Sequence, residues 1–410
     1  MRQSSSATGC DRLASTPSEA AITIRLVRAL QTRAPSVVQI VSTLEELTAW
    51  VDAWRELAEE RGNPFITPEW YSAWLEHYGD DAEPFAIVSG TPDGSCQGVL
   101  PLVRSRGSRV LRFAGADLGD HFQPACRAED EVAFAQAACA ILREREDAWS
   151  TAVFHGTQVG SAWHSALCDS ARPLAVVTGP ATAMPYVDLT GVEWNQFWAE
   201  RGRKLRKYVR SRTNQVEGNH EVGYRQTHEP SELDADMSVM LELHEQRFGE
   251  SSLLLDPTAQ AFHRSFAAAA LAQDWLRLVF MELDGKPVAA SYGWNVGGRY
   301  GDYNGGFAPE WAKTSVGLLL MVHTLRSALE QGATEYDFLL GDEAYKSRFT
   351  SSRREVATVL VAPRLHPQRL MFSAGVQARK LMGRLPGSTG EQLQRSLRPL
   401  MRRLPTTRSG

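Results

Sequence analysis

Residues 276–340 constrain the fold more than any other stretch of the chain. Three runs of alternating apolar and polar residues, at 276–283, 288–296 and 299–305, are joined by Asp284-Gly285 and Gly297-Gly298. Two-residue Asp-Gly and Gly-Gly links are hairpin turns, because both central positions accept positive φ, so the three runs form an antiparallel meander. An apolar helix follows from residue 314, ends with Gly332 as its C-terminal glycine, and leads into a short strand at 335–340. An antiparallel meander therefore runs into a β-α-β unit.

The same order occurs earlier in the chain. Strands at 85–89, 99–104 and 110–114, with the turn Pro92-Asp93-Gly94, precede a helix near 131–143 and a strand near 152–155. Helices stand before each meander, at 44–60 and 68–78 in the first half, and at 194–216, 231–248 and 257–271 in the second. The reading is a duplicated α/β fold with a mixed sheet. The copies differ at the start of the crossover helix. The first opens with Glu129, Asp130 and Glu131; the second opens with Lys313, Thr314, Ser315 and Gly317 and has no carboxylate up to Thr324. Exposed N–H groups and the helix dipole favour an anion there unless an acid competes, so only the second copy is expected to hold a phosphate.

That first turn has two readings. Ser and Thr are ordinary N-caps, and the apolar run from Leu318 packs on a sheet. Gly317, however, costs about 1 kcal/mol of helix propensity relative to Ala, which is explained if something approaches the backbone closely. The Gly, Tyr and Asn residues of Tyr300-Gly301-Asp302-Tyr303-Asn304-Gly305-Gly306 fit a strand that bulges beside an extended ligand.

With 410 residues, two domains are the default. No apolar run approaches the roughly 18 residues a spanning helix needs. Five scattered cysteines, Cys10, Cys96, Cys126, Cys139 and Cys168, make no CxxC, suit a reducing cytoplasm and suggest neither a disulfide framework nor a metal site. Residues 1–36 read as a disordered leader, 37–183 as an N-terminal copy, 184–363 as a C-terminal copy and 364–410 as a basic tail. The net charge is −4, yet the tail holds ten Arg or Lys against one acid, Glu391. Its apolar residues Leu370, Met371, Val376, Leu381, Met382 and Leu385 allow an amphipathic helix, for docking on the protein itself, for peripheral contact with an anionic membrane at its inner face or for weak binding of nucleic acid. Arg201–Arg212 is a second basic segment, with seven cations opposite the stripe Trp198, Leu205, Val209 and Val216. It is either a solvated face or an electrostatic collar for an anionic ligand.

Meander, bulge, helix with a small-residue first turn, then strand is the order of the Gcn5-related acetyltransferase (GNAT) fold. The chain resembles more specifically the CelD-like acetyltransferases associated with cellulose and exopolysaccharide biosynthesis, which carry two such domains in tandem. The likeness rests on Pro64-Phe65-Ile66-Thr67-Pro68-Glu69-Trp70 with Ala73-Trp74, Leu100-Pro101-Leu102, Arg203-Lys204-Leu205-Arg206-Lys207, Tyr303 to Phe307, Ser315 to Leu320, and Asp337-Phe338 through Gly341-Asp342-Glu343 to Tyr345-Lys346. It implies two tandem GNAT-like domains, the first degenerate. It implies acetyl-coenzyme A or another acyl-coenzyme A as co-substrate, held by Thr314, Ser315, Val316, Gly317 and Leu318 with Gly305 and Phe307. Against the family's phosphate loop, Gln/Arg-x-x-Gly-x-Gly/Ala, Ala312 replaces the Gln/Arg and Ser315 the first Gly.

The implied reaction moves an acyl group onto an amino or hydroxyl group of a sugar or lipid-linked saccharide precursor. Tyr345 stands where this fold places the phenol that protonates the leaving thiolate. Asp337, Asp342 and Glu343 are the carboxylate bases on offer, and period-2 geometry turns Asp337 away from Tyr336 and Phe338. Lys346 is a candidate for holding a carbonyl or phosphate oxygen, and His323, mid-helix, reads as structural. The same blocks resemble Fem-type peptidyltransferases, whose Tyr/Phe-Lys pair matches Tyr345-Lys346; that resemblance implies aminoacyl-tRNA as donor. A non-catalytic partner of a polysaccharide synthase is the third reading. As a partner in the reaction, tRNA enters only under the second.

Overall fold

The computed structural model describes residues 37–90, 95–170, 174–249, 252–363 and 367–382. The expected leader, the turn at 92–94 and the end of the tail lie outside them. The first half runs β1 (Val37–Val41), α1 (Leu44–Thr48), α2 (Val51–Glu60), α3 (Pro68–Tyr78), β2 (Ala82–Pro84), β3 (Ala86–Gly90), β4 (Cys96–Leu100), β5 (Leu102–Ser105), β6 (Val110–Phe113), β7 (Ala125–Cys126), α4 (Glu131–Glu144), β8 (Thr151–Gln158), α5 (Ala162–Ser170), β9 (Ala175–Thr178) and β10 (Thr182–Asp188). The second half runs α6 (Trp194–Glu200), α7 (Arg203–Glu217), β11 (Val222–Gln226), α8 (Pro230–Phe248), α9 (Pro257–Ala272), β12 (Leu276–Leu283), β13 (Lys286–Val296), β14 (Arg299–Phe307), α10 (Val316–Glu330), β15 (Glu335–Asp337), β16 (Arg353–Ala362) and α11 (Pro367–Met382).

Local chemistry explains the element ends. Thr67 caps α3 by accepting from the Trp70 N–H at 3.2 Å, with Pro68 in the first turn, and Asp256 caps α9 in the same way above Pro257. Both hairpin turns of the second meander have positive φ at both central residues: Asp284 and Gly285 at 51° and 75°, Gly297 and Gly298 at 54° and 79°. The expected strand 99–104 is instead split at Pro101, which has no N–H to give a ladder, and its two pieces enter different sheets. The helix expected at 194–216 breaks at Arg201-Gly202.

Each half contains a parallel strand pair bridged by a helix: β6 with β8 across α4, and β14 with β15 across α10. A small sheet of order β1-β3-β4-β7 covers the first half. The long sheet runs β11-β12-β13-β14-β15-β10-β16-β8-β6-β5-β2, with β9 also on β16. The copies thus pair strand to strand: β8 and β9 of the first lie on opposite sides of β16 of the second, and β10, which spans the boundary near residue 183, lies between β15 and β16.

One apolar cluster runs through both halves. At its centre Trp70 of α3 meets Phe262 and Phe266 of α9 edge-on, with ring centroids 4.8 and 4.9 Å apart, and Phe65 stands 6.0 Å from Trp294 of β13. Trp70 is fully buried and donates its indole N–H to Ala114 O at 3.0 Å. Truncating it to Ala would cost about 3–5 kcal/mol by cavity formation alone. The two halves of this mixed α/β fold therefore share one apolar cluster, while a second, built from α6, α7, α10 and the facing strands, belongs to the second half alone.

Candidate functional site

The second parallel pair opens into a wedge. β14 and β15 pair only at Arg299–Glu335, Tyr300–Tyr336 and Gly301–Asp337. Beyond that point β15 stops, because the Asp337 side chain accepts the Leu339 N–H at 2.8 Å and Leu339 takes φ 54°. β14 continues to Phe307, and a register shift opposite Tyr292 and Gly293 places Tyr303 in a bulge. The bulge turns the Tyr303 hydroxyl toward the first half, where it donates to Leu118 O at 2.6 Å.

α10 starts beside this wedge, and neither first-turn hydroxyl caps it. Ser315 sits in the left-handed region at φ 61°, and its hydroxyl shares a 2.7 Å hydrogen bond with Tyr208 of α7. Thr314 Oγ1 donates back to Trp311 O. The Leu318 and Leu319 N–H groups reach Ser315 O, so the Val316 and Gly317 N–H groups have no side-chain cap, and no acid stands in the first turn. Val316 turns its side chain into the core, so what it offers a ligand is its backbone N–H, whereas the half-buried Leu318 has its N–H already bonded to Ser315 O. A Cβ at Gly317 would lie 3.1 Å from Phe307 Cδ1, so this glycine lets the Phe307 ring lie against the helix. The first copy is built oppositely. Glu131, in the first turn of α4, is buried, accepts the Trp163 N–H of α5 and pairs with Arg61 at 3.0 Å, so a fixed carboxylate stands beside that helix end.

Cations surround the second helix start. Arg247 lies 4.9 Å from the Phe307 ring centre and 4.5 Å from that of Phe248, and forms no ion pair among the described residues. Arg212 stacks on Tyr208. The Ser315 hydrogen bond, with Arg212 and Arg348 nearby, holds the Tyr208 phenol below its ordinary value. Arg203, Lys204, Lys207 and Arg210 project from α7 into solvent.

The loop after β15 carries the other expected residues. Lys346 is buried, 3% exposed; its ammonium donates to Leu340 O at 3.2 Å and Gly341 O at 3.4 Å and pairs with Glu343 at 2.7 Å. It is a clamp on the loop rather than a surface lysine. Asp337 faces away from Tyr336 and Phe338 as its spacing requires, but toward Arg354, whose guanidinium donates to it at 2.7 Å. Burial pushes Asp337 up to about 7 against the pull of that arginine. Both of its oxygens are engaged, which suits positioning better than proton abstraction. Tyr345 is half-buried, and burial, with Asp302 and Glu343 near it, raises its phenol well above the usual range. Asp342 and Glu343 are exposed, and His323 stacks flat on Tyr224 at 3.8 Å. The glycines of β14 answer to the protein's own backbone. A Cβ at Gly305 would stand 2.4 Å from Ala290 O and one at Gly306 2.2 Å from Leu243 C, while Gly305 O accepts from His244 Nδ1.

Two carboxylates join the cluster that sequence reasoning did not single out. Asp302 accepts from Ser291 Oγ at 3.0 Å and is raised by burial; its one signal was an acid inside a Tyr- and Gly-rich strand. Asp120, from the first half, accepts the Leu340 N–H at 3.2 Å and is pushed by burial up to about 6, with Lys346 and Glu343 near it. No spacing in the sequence links residue 120 to residue 340. Asp120 also borders a cavity of about 250 Å³ between the halves, lined among others by His155, Thr182, Leu340 and Thr358 and roofed by Phe372 of α11. The tail helix thus docks through Phe372 and Val376 and leaves Leu370 and Met371 exposed.

Residues 203–347 match the family model described as Acetyltransferase (GNAT) domain. No curated protein matches the chain. Among solved structures, FemX shares the fold with a TM-score of 0.58 at 11% identity, covering 82% of this chain and 99% of its own. The C-terminal domain of a putative lysylphosphatidylglycerol synthetase from Agrobacterium fabrum superposes with a TM-score of 0.50 at 12% identity, covering 79% of this chain and 95% of that one. A conserved protein of unknown function from Bacteroides thetaiotaomicron gives 0.50 at 10% identity, over 80% of this chain and 100% of that one.

Proposed function

We propose that the chain is an acyl-coenzyme A-dependent N- or O-acyltransferase acting on a sugar or lipid-linked saccharide precursor, with the second copy binding the donor. The observation that carries the reading is the wedge between β14 and β15 beside a helix start with no acid and no side-chain cap. A thioester donor supplies an activated acyl carbon and several phosphate charges. The Val316 and Gly317 N–H groups and the dipole of α10 would receive the phosphates, and Phe307 would line the path into the wedge. The resemblance to CelD-like proteins supports polysaccharide or envelope biosynthesis as the setting. The division at 37–183 and 184–363 is proposed as a functional one, donor on the second copy and acceptor cavity on the seam.

The acceptor would enter from the 250 Å³ cavity and meet the wedge at Leu340. Asp120 would take the proton from its amine or hydroxyl as the new bond to the acyl carbon forms. A carboxylate near 6 is largely ionised at neutral pH yet basic enough to accept. Tyr345, fully protonated at that pH, would donate to the sulfur as the carbon–sulfur bond breaks. Lys346 and Asp337 would hold the 339–343 loop in place between the two groups. The basic tail would supply contact with an anionic membrane, each Lys or Arg at such a surface adding about 1 kcal/mol.

A second reading, aminoacyl-tRNA as donor, is favoured by the exposed α7 cations next to Ser315 and by the FemX likeness in fold. Titration calorimetry separates the two. Micromolar binding of acetyl-coenzyme A supports the first; no binding at millimolar concentration, together with tRNA binding that weakens steeply with salt, replaces it with the second.

A further inference from the structure

A second cavity, of about 210 Å³, lies on the face of the sheet under the last turns of α10 and is bordered by Arg277, Tyr300, Tyr224, His323, Ser327 and Gln331, among others. Ser327 is ten residues beyond Gly317, roughly 15 Å along the helix axis, so this cavity is separate from the helix start at the wedge.

Its chemistry is one-sided. Arg277 is 8% exposed, donates through Nη1 to the carbonyls of Asp274 and Leu276, and leaves Nε without a partner. It forms no ion pair among the described residues, and a buried guanidinium without a counter-charge is costly. The Tyr300 hydroxyl, 2% exposed with Ser291 and Thr324 nearby, also makes no hydrogen bond of normal geometry. No Asp or Glu borders the cavity. Arg225, which does, is committed to Asp236 at 2.7 and 2.8 Å and to Glu282 at 3.1 Å. The other acids near it are Asp302, buried across Gly293 from Arg277, held by Ser291 and pushed by burial toward its neutral form, and Glu217 beside Tyr224 and Glu330 beside His323, both exposed at the rim.

The sequence leaves this space open for a local reason. The cross-strand neighbour of Arg277 is Gly293, where a Cβ would lie 2.1 Å from Gly301 O, so no side chain fills the row between Arg277 and β14. At the rim Gln331 Nε2 donates to Ser327 Oγ at 2.8 Å, leaving the hydroxyl proton free to turn inward. Donors thus border the cavity from the sheet side and the helix side at once.

We propose that this cavity is a binding site for a phosphate group, either the free ion or the phosphate of a small organic ester, distinct from the donor site in the wedge. Arg277 supplies the counter-charge, and Tyr300 and Ser327 supply hydroxyl donors to a tetrahedral oxyanion. Tyr300 stacks on Tyr336 at 4.8 Å and stands two residues before Asp302, so the ligand contacts the strand that walls the wedge.

The test is calorimetric titration of the full chain at low salt with inorganic phosphate and with a hexose 1-phosphate. The variants are Arg277→Gln, Ser327→Glu and Gly317→Asp. The expected result is saturable one-to-one binding, at least tenfold weaker in Arg277→Gln and Ser327→Glu and unchanged in Gly317→Asp. A preference for the ester identifies an organic phosphate as occupant, and equal affinities identify the free ion. Ser327 is half-buried at the rim, so Ser327→Glu decides the matter if Arg277→Gln does not fold. The proposal is overturned if neither ligand saturates, or if binding persists in Ser327→Glu and is lost in Gly317→Asp. Acetyl-coenzyme A binding by Ser327→Glu is a separate readout, so failure here and failure of the donor assignment are distinguishable.

Discussion

Replacing Gly317 with Asp should separate donor binding from folding. The new carboxylate would stand in the first turn of α10, about 5 Å from any phosphate held by the Val316 and Gly317 N–H groups. At an effective dielectric of about 20, two unit charges at that distance repel by about 3 kcal/mol, or roughly 200-fold in affinity, for each phosphate charge engaged. Stability should move the other way or hardly at all. An acid at a helix N-terminus gains about 0.3–1 kcal/mol, and replacing Gly removes part of its roughly 1 kcal/mol propensity cost. The opposing cost is contact of the new Cβ with Phe307, at 3.1 Å, on a half-buried ring that can shift by a few tenths of an ångström. Gly317→Ala carries the same Cβ without the charge, so it should bind acetyl-coenzyme A within about tenfold of the parent. Thermal melts establish folding and titration calorimetry reads affinity. If a folded Gly317→Asp protein binds acetyl-coenzyme A as the parent does, the phosphates are not at this helix and the donor assignment fails.

Tyr345→Phe removes one proton donor and almost no volume; kcat should fall by about 10²- to 10⁴-fold with the donor affinity intact, and an unchanged rate retires the phenol. If Asp120 is the base, kcat/KM should decline about tenfold per pH unit below about pH 6, where the carboxylate takes up its proton, and Asp120→Asn should be slow with that acidic limb absent. An Asp120→Asn profile that keeps the limb assigns it to another group. Truncation after residue 363 removes Phe372 and Val376 from the roof of the cavity between the halves; acetyl-coenzyme A binding should persist while sedimentation with anionic vesicles at low salt is lost. Unfolding instead would make the docking of α11 part of the core.

The second meander was legible because its determinants are local: positive-φ turn residues at 284–285 and 297–298, and alternation along the strands between them. The helix starts at Pro68 and Pro257 were likewise written in their caps. The split at Pro101 had a local signal that a run of apolar residues overrode. The candidate site was legible only in part. Tyr345 and Gly317 fell where the order of elements put them, whereas Lys346 and Asp337 are engaged by partners no spacing reveals: the carbonyls of residues 340 and 341, and Arg354 across the sheet. Asp120 and Arg277 were invisible because their meaning depends on which strands lie side by side, and non-local pairing leaves no periodic trace.

The pairing of β16 with β8 and β10 has a consequence for how the molecule comes into being. β8 finds its neighbour β16 only about 200 residues later in the chain, and such distant pairing is slow to form. While the chain is being made, everything up to β10 emerges with an unpaired edge on β8 and an unfilled flank on β10, and both wait for residues 353–362. During that interval exposed strand edges invite pairing with another chain. A ribosome stalled before residue 353 would therefore hold a half-built sheet. Among the described residues β16 is the last strand to be synthesised, and it completes the long sheet on both sides at once, so the halves gain their finished form together.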